Sequence, residues 1–118
     1  MDPRNNQEVF DFVVNALRKQ GKKSINEKGH CQYRAPDGCK CSAGHLIPDE
    51  DYDPKWEGYA VKPLAYSPNV VTAYFASKGF HLPLVSALQS AHDGNREGLW
   101  ECYFQDIARR FNLIYTAV

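Results

Sequence analysis

The chain has no surplus of either charge: among its 118 residues fourteen Lys and Arg balance fourteen Asp and Glu. A duplex-DNA binder needs a basic face to displace counterions, so this neutrality argues against nucleic acid as the partner. No apolar run approaches the roughly eighteen residues of a membrane span. The first residues, MDPRNNQEVFDF, lack the charged-then-apolar order of an export signal. The expectation is a cytoplasmic protein with no membrane partner. G-x-S-x-G, P-loop and G-x-G-x-x-G patterns are all missing, which removes the commonest nucleophile and phosphate sites. Repeats, low-complexity tracts and linkers are missing too, and a chain this short has too little apolar surface for two cores. One domain spanning residues 1–118 is expected.

What is present suffices for a core: 43% of the residues are hydrophobic and 13% aromatic, which excludes wholesale disorder. The four cysteines, Cys31, Cys39, Cys41 and Cys102, are read as thiols or metal ligands in a reducing compartment. Cys102 falls in an apolar helical pattern and is expected to fill space.

Val9, Phe10, Val13, Val14 and Leu17 recur at helical spacing and predict an amphipathic helix over residues 6–20. Asn5 and Glu8 supply a capping box, Arg18 and Lys19 suit the C-terminal dipole, and Gly21 is a left-handed stop. Residues 22–30 read as a loop. CQYRAPDGCKCSAG then predicts a short β-hairpin, residues 31–43, turning at Pro36-Asp37-Gly38. Strand alternation would put Cys31, Tyr33, Cys39 and Cys41 on one face, with Gln32, Arg34, Lys40 and Ser42 on the wet face.

Prolines at 48, 54 and 63 forbid a long helix from Pro48 to Tyr66 and predict a surface excursion anchored by Tyr52, Trp56 and Tyr59. Ser67-Pro68 reads as cap and first position of a helix ending at Gly79, with Val70, Val71, Tyr74 and Phe75 inward. A third helix starts near Pro83, burying Leu84, Val85, Leu88 and His92 and ending at Asp93-Gly94. The last carries Trp100, Tyr103, Phe104, Ile107, Ala108 and Phe111 on its inner side. The expected fold class is α+β, mainly α, with about four helices packed around the hairpin.

Several constellations could carry chemistry. Cys31, Cys39, Cys41 and His45 offer the donors that tetrahedral zinc accepts, but the spacing departs from that of ribbons and fingers. The plainer reading puts the cysteines in the core, with no metal or other cofactor. Gly44-His45 resembles the Gly-His core of ββα-metal nucleases, with His45 as base and Asn69 as the nearby candidate ligand, yet Ser42-Ala43 stand where that family has Asp-Arg. Asp49, Asp51 and Asp53 alternate as in an EF-hand loop, but Pro54 and Ala60 occupy the positions of the required glycine and glutamate. These acids form either a negative patch for a basic partner or a solvated loop complementing Arg18 to Lys28. His92 lies on the apolar side of its helix and needs a partner, for which Asp93, Glu57 or a tyrosine hydroxyl would serve.

Cys31-x-Tyr33-Arg34, Gly38, Cys41, Gly44, Ile47-Pro48 and Tyr52, followed by Glu57, the segment LQSAHD with His92 and Asp93, and Trp100, resemble an uncharacterised family of small phage and bacterial proteins. Its pattern is C-x-Y-R…G-x-x-C-x-x-G-x-L-I-P-D-x-x-Y with a later L-Q-x-x-H-D, and the similarity runs from the first helix to about Leu113. Cys39 and His45 fall outside it. The resemblance implies no known activity. It does imply a phage-like context, in which small cytoplasmic proteins block host enzymes or defence systems. The expectation is therefore a non-enzymatic interaction module that binds and inhibits a host or defence-system macromolecule. The partner-binding residues would be Asp49, Asp51, Tyr52, Asp53, Trp56 and Tyr59, because aromatic anchors dominate protein interfaces. Arg34, Glu57, His92 and Asp93 would form a structural polar cluster. The alternative is a small metal-dependent hydrolase or nuclease using His45 or His92.

Overall fold

Helix α1 (Asn6–Gln20) forms where its periodicity predicts it. The Asn5 side chain accepts from the Glu8 backbone N–H, and Gly21 closes the other end at φ 74°. Its buried face is Val9, Phe10, Val13, Val14 and Leu17, each contributing roughly 1.5–3 kcal/mol by leaving water. In this computed structural model, residues 5–63, 69–94 and 97–117 are described.

The hairpin expected over residues 31–43 is not formed, and the α+β class is corrected accordingly. The described residues contain no sheet, only two isolated antiparallel bridges, Ile25–Cys31 and Arg34–Lys40. The tip turns as expected, with the Ala35 N–H donating to Cys39 O and Gly38 N–H to Ala35 O. The ladder stops there because side chains from elsewhere take the backbone groups. Glu57 accepts from the N–H groups of Tyr33 and Arg34. The Gln20 amide pairs with both the N–H and the carbonyl of Lys40. A backbone group satisfied by a side chain is lost to a strand partner. From Ser42 the chain coils into a one-turn helix, α2 (Ser42–His45), capped by the Cys41 thiol. The predicted wet face fails with it, since Ser42 is buried.

Residues 48–63 form the surface excursion, with a 3₁₀ turn at Pro54–Trp56 capped by the Asp53 side chain. Helix α3 (Val70–Ser77) is capped by Asn69, whose amide also donates to Ala60 O at 2.7 Å. The expected start at Ser67-Pro68 lies outside the described residues. Val70 is 49% exposed rather than inward, whereas Val71 and Phe75 are buried. Helix α4 (Leu82–Gly94) buries Leu84, Val85, Leu88 and His92 as predicted. A 3₁₀ turn, Glu97–Leu99, leads into α5 (Trp100–Arg110).

On α5, Trp100, Phe104, Ile107 and Ala108 face inward, while Tyr103 is exposed and Phe111 half-buried. Cys102 is exposed too, against expectation. It sits two residues from both Trp100 and Phe104, about 200° around the helix and hence on the far side. Helix α4 packs against each of the other four helices, so the residues of its last turn reach the middle of the molecule. No helix among the described residues is long and apolar enough to cross a membrane.

Candidate functional site

The last turn of α4 carries Gln89, His92 and Asp93, and the non-helical ribbon from Ser24 to Ala43 folds onto them. The Gln89 side-chain oxygen accepts from the Ala43 N–H at 2.9 Å, and its amide donates to both Asp93 carboxylate oxygens at 2.9 and 2.8 Å. Ser42 donates to Leu88 O at 2.7 Å. His92 is fully buried and stacked on Trp100, centroids 5.7 Å apart. Its Nε2 accepts the Ser24 backbone N–H at 3.0 Å, and its Nδ1 lies 2.6 Å from Asp93 Oδ1. A neutral imidazole that accepts on Nε2 carries its proton on Nδ1, so Nδ1 donates to Asp93.

Cys31 completes the group. Its Sγ is 3.8 Å from Asp93 O, and Cys31, His92 and Asp93 offer ligand atoms all within 4.8 Å of one another. The composition is that of a cysteine-hydrolase triad, but the roles do not fit. A base needs a free nitrogen lone pair facing the thiol, and the His92 lone pair is held by Ser24. Burial, followed by the Asp93 charge, pushes the Cys31 thiol up to about 11, so at neutral pH it is protonated and weakly nucleophilic. The same hydrogen bond bears on metal binding. A cation on Nδ1 would move the proton to Nε2, setting two donors against each other at Ser24. No other group of three or more His, Cys, Asp or Glu ligands is this close among the described residues, so the quartet Cys31, Cys39, Cys41 and His45 is not assembled.

A second network lies on the other side of Tyr33. Glu57 accepts from Tyr33 N–H at 2.8 Å, Arg34 N–H at 3.1 Å and the Tyr52 hydroxyl at 2.6 Å. Arg34 donates to Ile47 O, pairs with Asp49 at 2.8 Å and lies over the Tyr52 ring at 4.5 Å. The four residues expected to form one polar cluster therefore divide in two, Arg34 with Glu57 and His92 with Asp93. Burial and the Glu57 hydrogen bond together raise the Tyr52 hydroxyl to about 12.

The residues expected to bind a partner also divide. Trp56 is buried against Tyr74, centroids 4.9 Å apart. Asp53 caps its 3₁₀ turn, and Asp51 accepts from the Tyr74 hydroxyl at 2.6 Å. Asp49 is 83% exposed in its side chain, Glu50 is exposed and so is Tyr59. The Tyr59 carbonyl takes the hydroxyl of Tyr33. His45 is half-buried with its Nε2 enclosed and unpartnered; burial lowers its pKa to about 4, which keeps it neutral. Asn69, the ligand a Gly-His nuclease would need, is spent on capping α3.

A cavity of about 120 Å³ opens between the two networks, lined by Cys31, Gln32, Tyr33, Tyr59, Gln89 and Asp93 among others. A larger one, about 420 Å³, lies between α4 and α5, with Tyr103 and Ile107 in its wall. Ser24 and Gln89 are the hub residues that the sequence reading passed over. Gln89 had a signal, standing three and four residues before His92 and Asp93 and so on their side of the helix. Ser24 had none to set it apart from any loop serine, yet its backbone N–H donates to His92 and its buried hydroxyl lies 2.7 and 3.0 Å from the carbonyls of Gln32 and Cys39. No family model, curated protein or solved structure matches this chain.

Proposed function

We propose that the protein is a non-enzymatic interaction module, a small cytoplasmic, phage-like protein that binds and inhibits a host or defence-system macromolecule through the acidic loop around residues 49–59. One observation carries this reading. The loop is pinned from inside by buried Trp56 and by Glu57, while Asp49, Glu50 and Tyr59 stay in water. A surface held rigid before binding loses little conformational freedom on association. Its charge selects a partner with a basic face. The hydrogen bonding of His92 adds support, since the Cys–His–Asp group is committed to holding the ribbon on α4.

The test is an affinity pull-down from host lysate with the native chain and with the double variant Glu50→Lys/Tyr59→Ala, whose side chains are exposed. Capture of a protein by the native chain and its loss in the variant supports the reading. Equal capture by both removes the loop from the interface. Turnover of plasmid, RNA or nucleotides with Mg²⁺ or Mn²⁺, abolished by His45→Ala or His92→Ala, would overturn the non-enzymatic reading altogether.

A further inference from the structure

The cavity between the two networks borders the end of the acidic loop, since Gly58, Tyr59 and Ala60 form part of its wall and Asp93, Gln89, Cys31 and Gln32 another part. Asp93 is half-buried, and its carboxylate takes its hydrogen bonds from His92 Nδ1–H and the Gln89 amide, neither of them a lysine or arginine. Among the described residues Lys23 brings a cation close, and its ammonium donates to the Asp93 backbone oxygen at 3.2 Å, outside the cavity lining. A cation reaching a half-buried carboxylate gains more than one at the open surface. Burial, the largest single effect at Asp93, raises its pKa, but the hydrogen bonds from His92 and Gln89 and the charge interaction with His92 together outweigh it, holding the carboxyl below the usual range and hence ionised at neutral pH. Tyrosine rings suit the flat face of a guanidinium.

We infer that this cavity is a socket for a basic side chain, an arginine guanidinium presented by the partner protein, with Asp93 as its counter-charge and Tyr59 at its rim. This rests on the interaction-module reading and deepens it by assigning a side chain to the partner.

The probe is N-acetyl-arginine methylamide, titrated into ¹⁵N-labelled protein while the amides of Gly58, Ala60 and Gln89 are followed by NMR. Saturable millimolar binding is expected, weaker by about tenfold or more for the neutral citrulline analogue and for Asp93→Asn. Because Asp93→Asn disturbs the His92 bond, Gln32→Glu serves as a second variant; it adds charge to the wall and is expected to tighten binding several-fold. No saturation, equal binding of the citrulline analogue, or indifference to both substitutions would overturn the socket. Guanidinium ion binding as tightly as the capped residue would also overturn it, pointing to a small free cation. The assay contains no partner, so its failure is separable from failure of the pull-down: capture without arginine binding removes the socket alone, whereas arginine binding without capture overturns the interface and with it the assignment of the arginine to a partner protein.

Discussion

In α1 the backbone is satisfied from within. Asn5 and Gly21 close its ends, and its apolar stripe needs only a surface to lie on. Residues 31–41 have almost none of this self-sufficiency. Their backbone donors reach Ser24 O, Glu57, Asp37 and Gln20, while Ala35 and Gly38 find acceptors within the turn, Cys39 O and Ala35 O. One segment is specified by its own letters, the other by side chains up to 24 positions away. The difference teaches where the fold is vulnerable: damage to a helix end is local, whereas removing a distant pin frees several backbone groups at once.

The sharpest way to break the ribbon is at Gly44. A Cβ there would stand 2.2 Å from the backbone oxygen of Tyr33, and neither backbone can give way without losing the bonds to Glu57 or Gln89. Gly44→Ala is expected to destabilise the protein by roughly 3 kcal/mol or more, or to prevent folding. Urea denaturation of purified protein measures it, and a loss below about 1 kcal/mol would show that the ribbon slides freely on α2. Next comes Glu57→Gln. It turns one acceptor oxygen into a donor facing Tyr33, Arg34 or Tyr52, and removes the charge from the remaining bonds. About 2 kcal/mol is expected, read as a lowered melting temperature. A smaller effect than that of breaking the exposed ion pair between Arg109 and Asp106 of α5, 3.8 Å apart, would contradict the pinning role.

This contrast also explains how much was legible beforehand. The boundaries of α1 and the buried face of α4 follow from periodicity and caps, which are local physics. The ribbon misled because Pro36-Asp37-Gly38 does turn the chain as a hairpin would, while nothing in residues 31–43 announces that Glu57 and Gln20 will take the strand hydrogen bonds. Within the candidate site, the burial of His92 followed from Leu88 and Val85 one and two turns earlier, whereas its partner stayed open among Asp93, Glu57 and a tyrosine hydroxyl until the fold placed Asp93 at Nδ1. Its second partner, the Ser24 N–H, carries no side-chain signature. Trp56 shows the other limit: an aromatic in a polar loop reads equally as an exposed anchor or as a buried pin, and only the position of Tyr74 decides.

A pH titration probes the end of α2, just beyond the ribbon, at His45. Burial lowers its pKa in the folded state to about 4, below the unfolded value of about 6.5. The unfolded chain therefore takes up a proton first as the pH falls. The stability is whole above about 6.5, declines between there and about 4, and levels off below it. With allowance for the partial exposure of the ring, this amounts to about 1–2 kcal/mol. His45→Asn is expected to flatten that part of the profile of unfolding free energy against pH; a slope unchanged by the substitution would assign it to other groups.

The smallest effect belongs to α1 and serves as the reference for the others. Asn5 both accepts the Glu8 N–H at 2.8 Å and donates to the Glu8 carboxylate at 2.8 Å, all within one turn of one another in sequence. Asn5→Ala removes a cap whose loss typically costs about 1 kcal/mol, and fraying confines the damage to the first turn, where water can take the released N–H. Hydrogen exchange should accelerate at the first amides of α1 and leave Tyr33, Arg34 and Ala43 protected. If the cap variant instead loosened the ribbon amides as much as Glu57→Gln does, the two regions would form one cooperative unit and the distinction between local and distant specification would fail.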